Sequence, residues 1–243
     1  MAPILNIDRL SYHYGNNPNP VFTDLDLRVE KDEFIAVVGG SGVGKSTLLR
    51  CVAGLAKASH GTISLNVEEN DTRRSRGIVF QDGRLMPWRR LRSNVAYGLK
   101  GLNLTTEEKR ARVDDVLKLA RLEELADRWP HQLSGGQVQR GGIARALAVK
   151  PHLLLMDEPF SAVDAITRQH LQDQLLAIWE KTRKAVMFIT HDIEEAVYLA
   201  DRVVVLSGSP AKIVLDQRIE LPRPRRRGSD ALQKLAQDIA NTL

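Results

Sequence analysis

The chain has 243 residues, a length that fits one large domain or a domain carrying an inserted subdomain. Its 43% apolar content allows a sizeable core, and no window nears the roughly 18 continuous apolar residues of a membrane helix. The net charge of +5 admits an anionic partner, but the short basic clusters at 72–76, 84–92 and 223–227 read as solvated surface, so no nucleic-acid partner is expected.

The opening residues lack the basic head and apolar run of a secretory signal. "ILNIDRLSYHY", "LDLRVE" and "FIAVVGG" read as β segments, the first two separated by the turn cluster "GNNPNP". A helix is predicted from about Gly44. It carries Cys51, the one cysteine, which excludes an internal disulfide and reads as inert core packing in a reducing cytosol. Short strands follow at "GTISL" and "GIVF". From Gln81 the character turns helical: Thr105 and Glu108 form a capping box, and Val113, Val116, Leu117 and Ala120 recur on one helix face. This block runs to about Lys150. Then "HLLLMDE" reads as a buried strand, 165–184 as a helix, "AVMFIT" as a strand and "DIEEAVYLA" as a helix capped by Asp192, with "RVVVL" and "KIVL" as the last strands. "LPRPRRRGSD" reads as a Pro/Arg linker before a short helix near 231–240.

Strands alternating with helices imply an α/β fold with a mainly parallel sheet. The expected organisation is one domain over 1–243. Its core comprises 1–81 and 151–216, a helical subdomain is inserted at 82–150, and 217–243 forms a C-terminal linker and helix.

"GGSGVGKST" (residues 39–47) matches G-x-x-x-x-G-K-[ST] between a strand and a helix. Gly39, Gly40, Ser41, Gly42, Val43 and Gly44 form a loop tight enough for successive backbone N–H groups to face phosphates. The helix that follows adds its dipole. Lys45 is placed to neutralise the β/γ-phosphates of ATP and Ser46 to ligate Mg²⁺, with Thr47 closing the motif. The matching carboxylates stand at the end of "LLLMDEP". Asp157 is expected to hold Mg²⁺ through water, and Glu158 to orient and polarise the attacking water.

These segments, with Gln81, "LSGGQ" (133–137), "SAVD" (161–164) and "THD" around His191, occur in an order and spacing that resemble the ATP-binding subunits of ABC transporters. The likeness covers nearly the whole chain. The resemblance implies a P-loop (RecA-like) core with an N-terminal antiparallel β part. Tyr14, or its rival Tyr12, would stack on adenine; Gln81 would sense Mg²⁺ and the water; His191 would contact the γ-phosphate; and Asp164 would bridge two subunits. It also implies a homodimer in which Ser134, Gly135, Gly136 and Gln137 reach ATP held by the partner. Separate membrane permease subunits would be fed by a periplasmic or extracellular solute-binding protein, with the ATPase at the cytoplasmic face of the inner membrane. The R-L-[LM]-P-W element at 84–88 looks like importers of the nitrate, sulfonate and taurine group. The tail "IELPRPRRRGSDALQKL" is similar to that of aliphatic-sulfonate importer ATPases. Nitrate, taurine or a thiamine precursor are the alternative solutes, and a DNA-repair-type ABC ATPase is the alternative class.

Two glycine pairs interrupt the signature helix. Gly135-Gly136 has a reason at the phosphate of another chain. Gly141-Gly142 has none of that kind; packing or flexibility is its expected reason, and the flexible reading softens the helix at about 1 kcal/mol per glycine. On that reading, Val-Ala in its place raises thermal stability.

Overall fold

A computed structural model describes residues 2–15, 19–68 and 71–243. In chain order the elements are β1 (Leu5–Tyr12), β2 (Phe22–Val29), β3 (Phe34–Gly39), α1 (Lys45–Val52), β4 (His60–Leu65), β5 (Arg76–Val79), α2 (Leu91–Tyr97), α3 (Thr106–Leu119), α4 (Gly135–Ala148), β6 (Leu153–Asp157), α5 (Ala165–Thr182), β7 (Ala185–Ile189), α6 (Ile193–Leu199), β8 (Arg202–Ser207), β9 (Lys212–Arg218) and α7 (Asp230–Ala240). They group into two compact units, one formed by Met1–Asn66 with Ala185–Leu243, the other by Val67–Lys184.

In the first unit β1 pairs antiparallel with both β2 and β4. β2 alternates buried and exposed side chains, the pattern of a strand with one wet face. β3 pairs parallel with β7 and β8. Every residue of β3 and β7 is buried, as a parallel strand covered on both faces requires. β9 closes against β8 in antiparallel register. Cys51 is buried, and burial pushes its thiol up to about 11, so it stays protonated and inert at neutral pH.

The Pro/Arg stretch departs from the linker expectation. Arg225 is 8% exposed and donates to the carbonyls of Val197, Tyr198 and Ala200 at the end of α6, while its Nε donates to Leu221 O. Arg223 donates to Asp201 and Leu199 O, and Arg227 lies over the Tyr198 ring. The last carbonyls of a helix have no partner within it. Arginine donors satisfy those of α6, so the stretch is tied down.

In the second unit β5 pairs parallel with β6. α2, α3 and α4 share a core of Leu91, Val95, Leu99, Val113, Leu117, Ala144 and Ala148. The Thr105–Glu108 capping box starts α3 as its spacing predicts, since each side chain bonds the other residue's backbone N–H.

Candidate nucleotide site

In the first unit, β3 delivers the chain to the glycine-rich loop and α1 receives it. Gly44 sits at φ 114 as the N-cap of α1, and a Cβ there would meet Val21 at 2.6 Å, so only glycine fits. Lys45 is 5% exposed, and its ammonium donates to the carbonyls of Gly39 (2.9 Å) and Gly40 (3.0 Å). A buried cation is thereby folded against the loop, while Gly40, Ser41 and Gly42 remain exposed. The first turn of α1 has no acidic side chain to compete with an anion. Ser46 and Val43 are half-buried and Thr47 is buried.

Of the two tyrosines, Tyr14 is the one that reaches this loop. Its hydroxyl lies 2.8 Å from Thr47 Oγ1, and the residue is 52% exposed. Tyr12 is half-buried, edge-on to Tyr14 and tilted against Phe22. His191 is exposed just after β7, between Thr190 and the α6 cap Asp192, whose carboxylate accepts from Glu195 N–H.

In the second unit, β6 ends on Asp157, and Glu158 follows with φ 43. A glutamate in the left-handed region is sparsely populated and costs on the order of 1–3 kcal/mol, which the surroundings must sustain. They do so through Ser161, whose N–H (3.3 Å) and hydroxyl (3.0 Å) both donate to the Glu158 carbonyl. Both carboxylates are half-buried. Gln81 is exposed, at the turn just beyond β5 and Phe80.

Ser134 is the N-cap of α4. Its hydroxyl accepts from Gln137 N–H, and Gln137 Oε1 accepts from Ser134 N–H at 2.9 Å, a full capping box. Gly135 is exposed at the helix start, whereas Gly136 is buried, with Thr167 Cγ2 3.0 Å from where a Cβ would stand. Asp164 is exposed and caps α5 by accepting from Thr167 N–H at 3.0 Å, which holds its carboxyl below the usual range.

For Gly141-Gly142 the contacts favour packing over softening. A Cβ on Gly142 would stand 2.9 Å from the carbonyl oxygen of Gly83 and 3.0 Å from its Cα, and one on Gly141 would meet Leu91 at 2.8 Å. The pair is packed against neighbours. Sequence reasoning also missed Gln139 and Arg145, which hold the chain on either side of Gln81 by donating to the carbonyls of Phe80, Gly83 and Arg84. Their partners are backbone atoms far along the chain, which no local spacing reveals.

A strand, a glycine-rich loop with an inward-folded lysine and a helix, in a chain that also ends a strand on paired carboxylates, define a phosphate-loop nucleoside triphosphatase. The pattern of the ABC transporter family matches residues 22–161, and the chain belongs to that family as an ATPase. It is 43% identical over 212 residues to the taurine import ATP-binding protein TauB of Pseudomonas fluorescens (87% of this chain, 80% of that one). It is 40% identical over 240 residues to the aliphatic sulfonates import ATP-binding protein SsuB of Bacillus licheniformis (98% and 93%). With the nitrate import ATP-binding protein NrtD of Synechococcus elongatus it shares 45% over 215 residues (86% and 78%). Its fold is similar to that of the ATP-binding cassette MJ0796, a dimer bound to ADP and Pi. That likeness has a TM-score of 0.73 at 29% identity and covers 90% of this chain and all of the other.

Proposed function

We propose that two copies of this chain sandwich two ATP molecules and hydrolyse them to drive import of a small solute, an aliphatic sulfonate, through separate membrane subunits. The single observation that carries the hydrolytic reading is Glu158, held in a strained backbone directly after Asp157 at the end of an apolar strand. In this reading the loop from Gly39 to Thr47 cradles the phosphates, Lys45 neutralises them, and Tyr14 stacks on adenine. Glu158 accepts the proton of the attacking water, Gln81 orients that water, and His191 donates to the γ-phosphate. Ser134, Gly135, Gly136 and Gln137 serve ATP on the partner copy, and Asp164 stands at the contact between copies.

Mg²⁺ fits the donors on offer. Ser46, Gln81 and Asp157 present oxygens, the set a hard cation takes. Among the described residues no group of three or more His, Cys, Asp or Glu could hold a metal unaided. Phosphate and water oxygens would therefore complete its shell. A Mg²⁺ held by these residues would supply neutralisation of the charge that develops on the phosphates.

Among the described residues no helix is long and apolar enough to cross a membrane. The reading therefore assigns translocation to permease subunits, loaded by a periplasmic or extracellular binding protein, with this chain at the cytoplasmic face of the membrane. Relatives that import sulfonate, taurine and nitrate lie at comparable identity, and the tail similarity favours sulfonate. ATPase stimulation of the reconstituted transporter by binding protein loaded with an alkanesulfonate, taurine or nitrate distinguishes them. Stimulation by nitrate alone would reject the sulfonate assignment.

Glu158→Gln tests the chemistry. The amide keeps the shape but cannot take a proton, so ATP binding persists while turnover falls by about 10²–10⁴-fold. Wild-type turnover would remove Glu158 as the base.

A further inference from the structure

Helix α4 presents Ser134 at its N-terminus, and one of its faces grips the turn that follows Gln81. Gln139, 3% exposed, donates from Nε2 to the carbonyl of Phe80 at 3.2 Å. Further along the same face, the backbone of Gly83 occupies the space where a Gly142 side chain would stand. Beyond that, Arg145 donates from both terminal nitrogens, to Arg84 O at 2.6 Å and Gly83 O at 2.8 Å. Residues three apart lie on one side of a helix, so these three form a continuous strip. The fit is reciprocal, since a Cβ on Gly83 would stand 2.9 Å from Val138 O. The turn is also closed on itself. Gly83 N–H donates to Phe80 O at 3.1 Å, Arg84 N–H donates to Asp82 Oδ1 at 3.2 Å, and Gly83 and Arg84 both take left-handed backbones. Carbonyls on both sides of Gln81 are thus bonded to α4.

We propose that Gln139, Gly142 and Arg145 are positioning residues that lock the Gln81 turn to the helix presenting Ser134. The group that orients water on one ATP and the group that serves the partner's ATP then move as one body. This rests on the roles proposed above for Gln81 and Ser134. Arginine suits the task because its planar fork reaches two successive carbonyls at once, where lysine offers a single point of attachment. Burial pulls the Arg145 guanidinium below its ordinary range while Asp82 opposes that shift, so an acid of the same turn supports the cation that holds it.

Steady-state ATP hydrolysis by the full chain tests this, with Arg145→Met, Arg145→Lys and Gly142→Ala each made alone and combined with Gln81→Ala. Melting temperature and ATP binding report folding in every variant. Arg145→Met is expected to lower kcat by about 10- to 100-fold, the scale of a misplaced catalytic group, with KM for ATP changed less than about threefold. Arg145→Lys should recover part of the loss. The deciding result is the combination: Arg145→Met adds nothing to Gln81→Ala if it acts through that residue. Losses that multiply would overturn the proposal and leave the Gln81 role standing, as would wild-type kcat in Arg145→Met. Wild-type kcat in Gln81→Ala alone would instead remove the Gln81 role, and this inference with it. If Arg145→Met does not fold, the Gly142→Ala and Arg145→Lys cycles give the same reading.

Discussion

Gly142 has a hydrogen where any other residue would put a carbon 2.9 Å from the carbonyl oxygen of Gly83. Alanine there gains about 1 kcal/mol of helix propensity. Against that stands the cost of overpacking, typically about 1–3 kcal/mol, and the atoms in the way are backbone that cannot rotate aside. The second term wins, so Gly142→Ala should lower stability by about 1 kcal/mol, roughly 2–4 °C in melting temperature for a chain of this size. Gly141 differs, because its nearest neighbours are the methyl ends of Leu91 and Leu85, which can shift. Gly141→Ala should leave the melting temperature nearly unchanged. Thermal unfolding followed by circular dichroism checks both, and a higher melting temperature in Gly142→Ala would show that the Gly83 turn yields. Lys45, Ser46 and Glu158 enter the proposed site on residue type and spacing alone. The role of Gly142 depends on Gly83, and nothing local to either glycine points to the other.

At the scale of elements, the starts of helices were the most legible part. A cap and its reciprocal partner lie three residues apart, so the box at Thr105–Glu108 is present in the string itself. Ends were less legible, because the carbonyls at the end of α6 are satisfied by arginines from a stretch whose composition reads as linker. Removing Arg225 strands several buried carbonyls together, so Arg225→Met should cost about 2–3 kcal/mol. Denaturant unfolding would register it, and a variant as stable as wild type would mean that water replaces the guanidinium. Burial, with Arg223 beside it, pushes the Arg225 guanidinium down to about 10. A base with a lowered folded pKa binds fewer protons folded than unfolded only above that lower value. Below about pH 10 it is charged in both states, so the difference between wild type and Arg225→Met should be flat with pH through neutrality. Above that window this group alone makes stability rise with pH.

For the whole molecule, the order of motifs along the chain was enough to indicate a cassette. The compact unit at Val67–Lys184 takes in β5, β6 and α5 together with the helical block. Periodicity reports which face of an element is buried and is silent on which neighbour buries it. Each chain carries one phosphate loop and one signature segment, so a composite site that needs both halves from different chains closes only in pairs. In the proposed sandwich, ATP lying between two copies would be a ligand of the dimer and would shift the monomer–dimer balance by mass action. Hydrolysis removes that ligand, so wild-type dimers should be transient and Glu158→Gln dimers should persist. Light scattering of Glu158→Gln should report a mass near twice the 27.2 kDa chain with saturating ATP and near one chain with ADP. Adding Ser134→Arg places bulk and charge at the helix start that would face the partner's phosphates, and should return the protein to a monomer while its own phosphate loop still binds ATP. A Glu158→Gln protein that stays monomeric at saturating ATP would rule out the sandwich. A dimer that survives Ser134→Arg would place the contact between copies away from the signature segment.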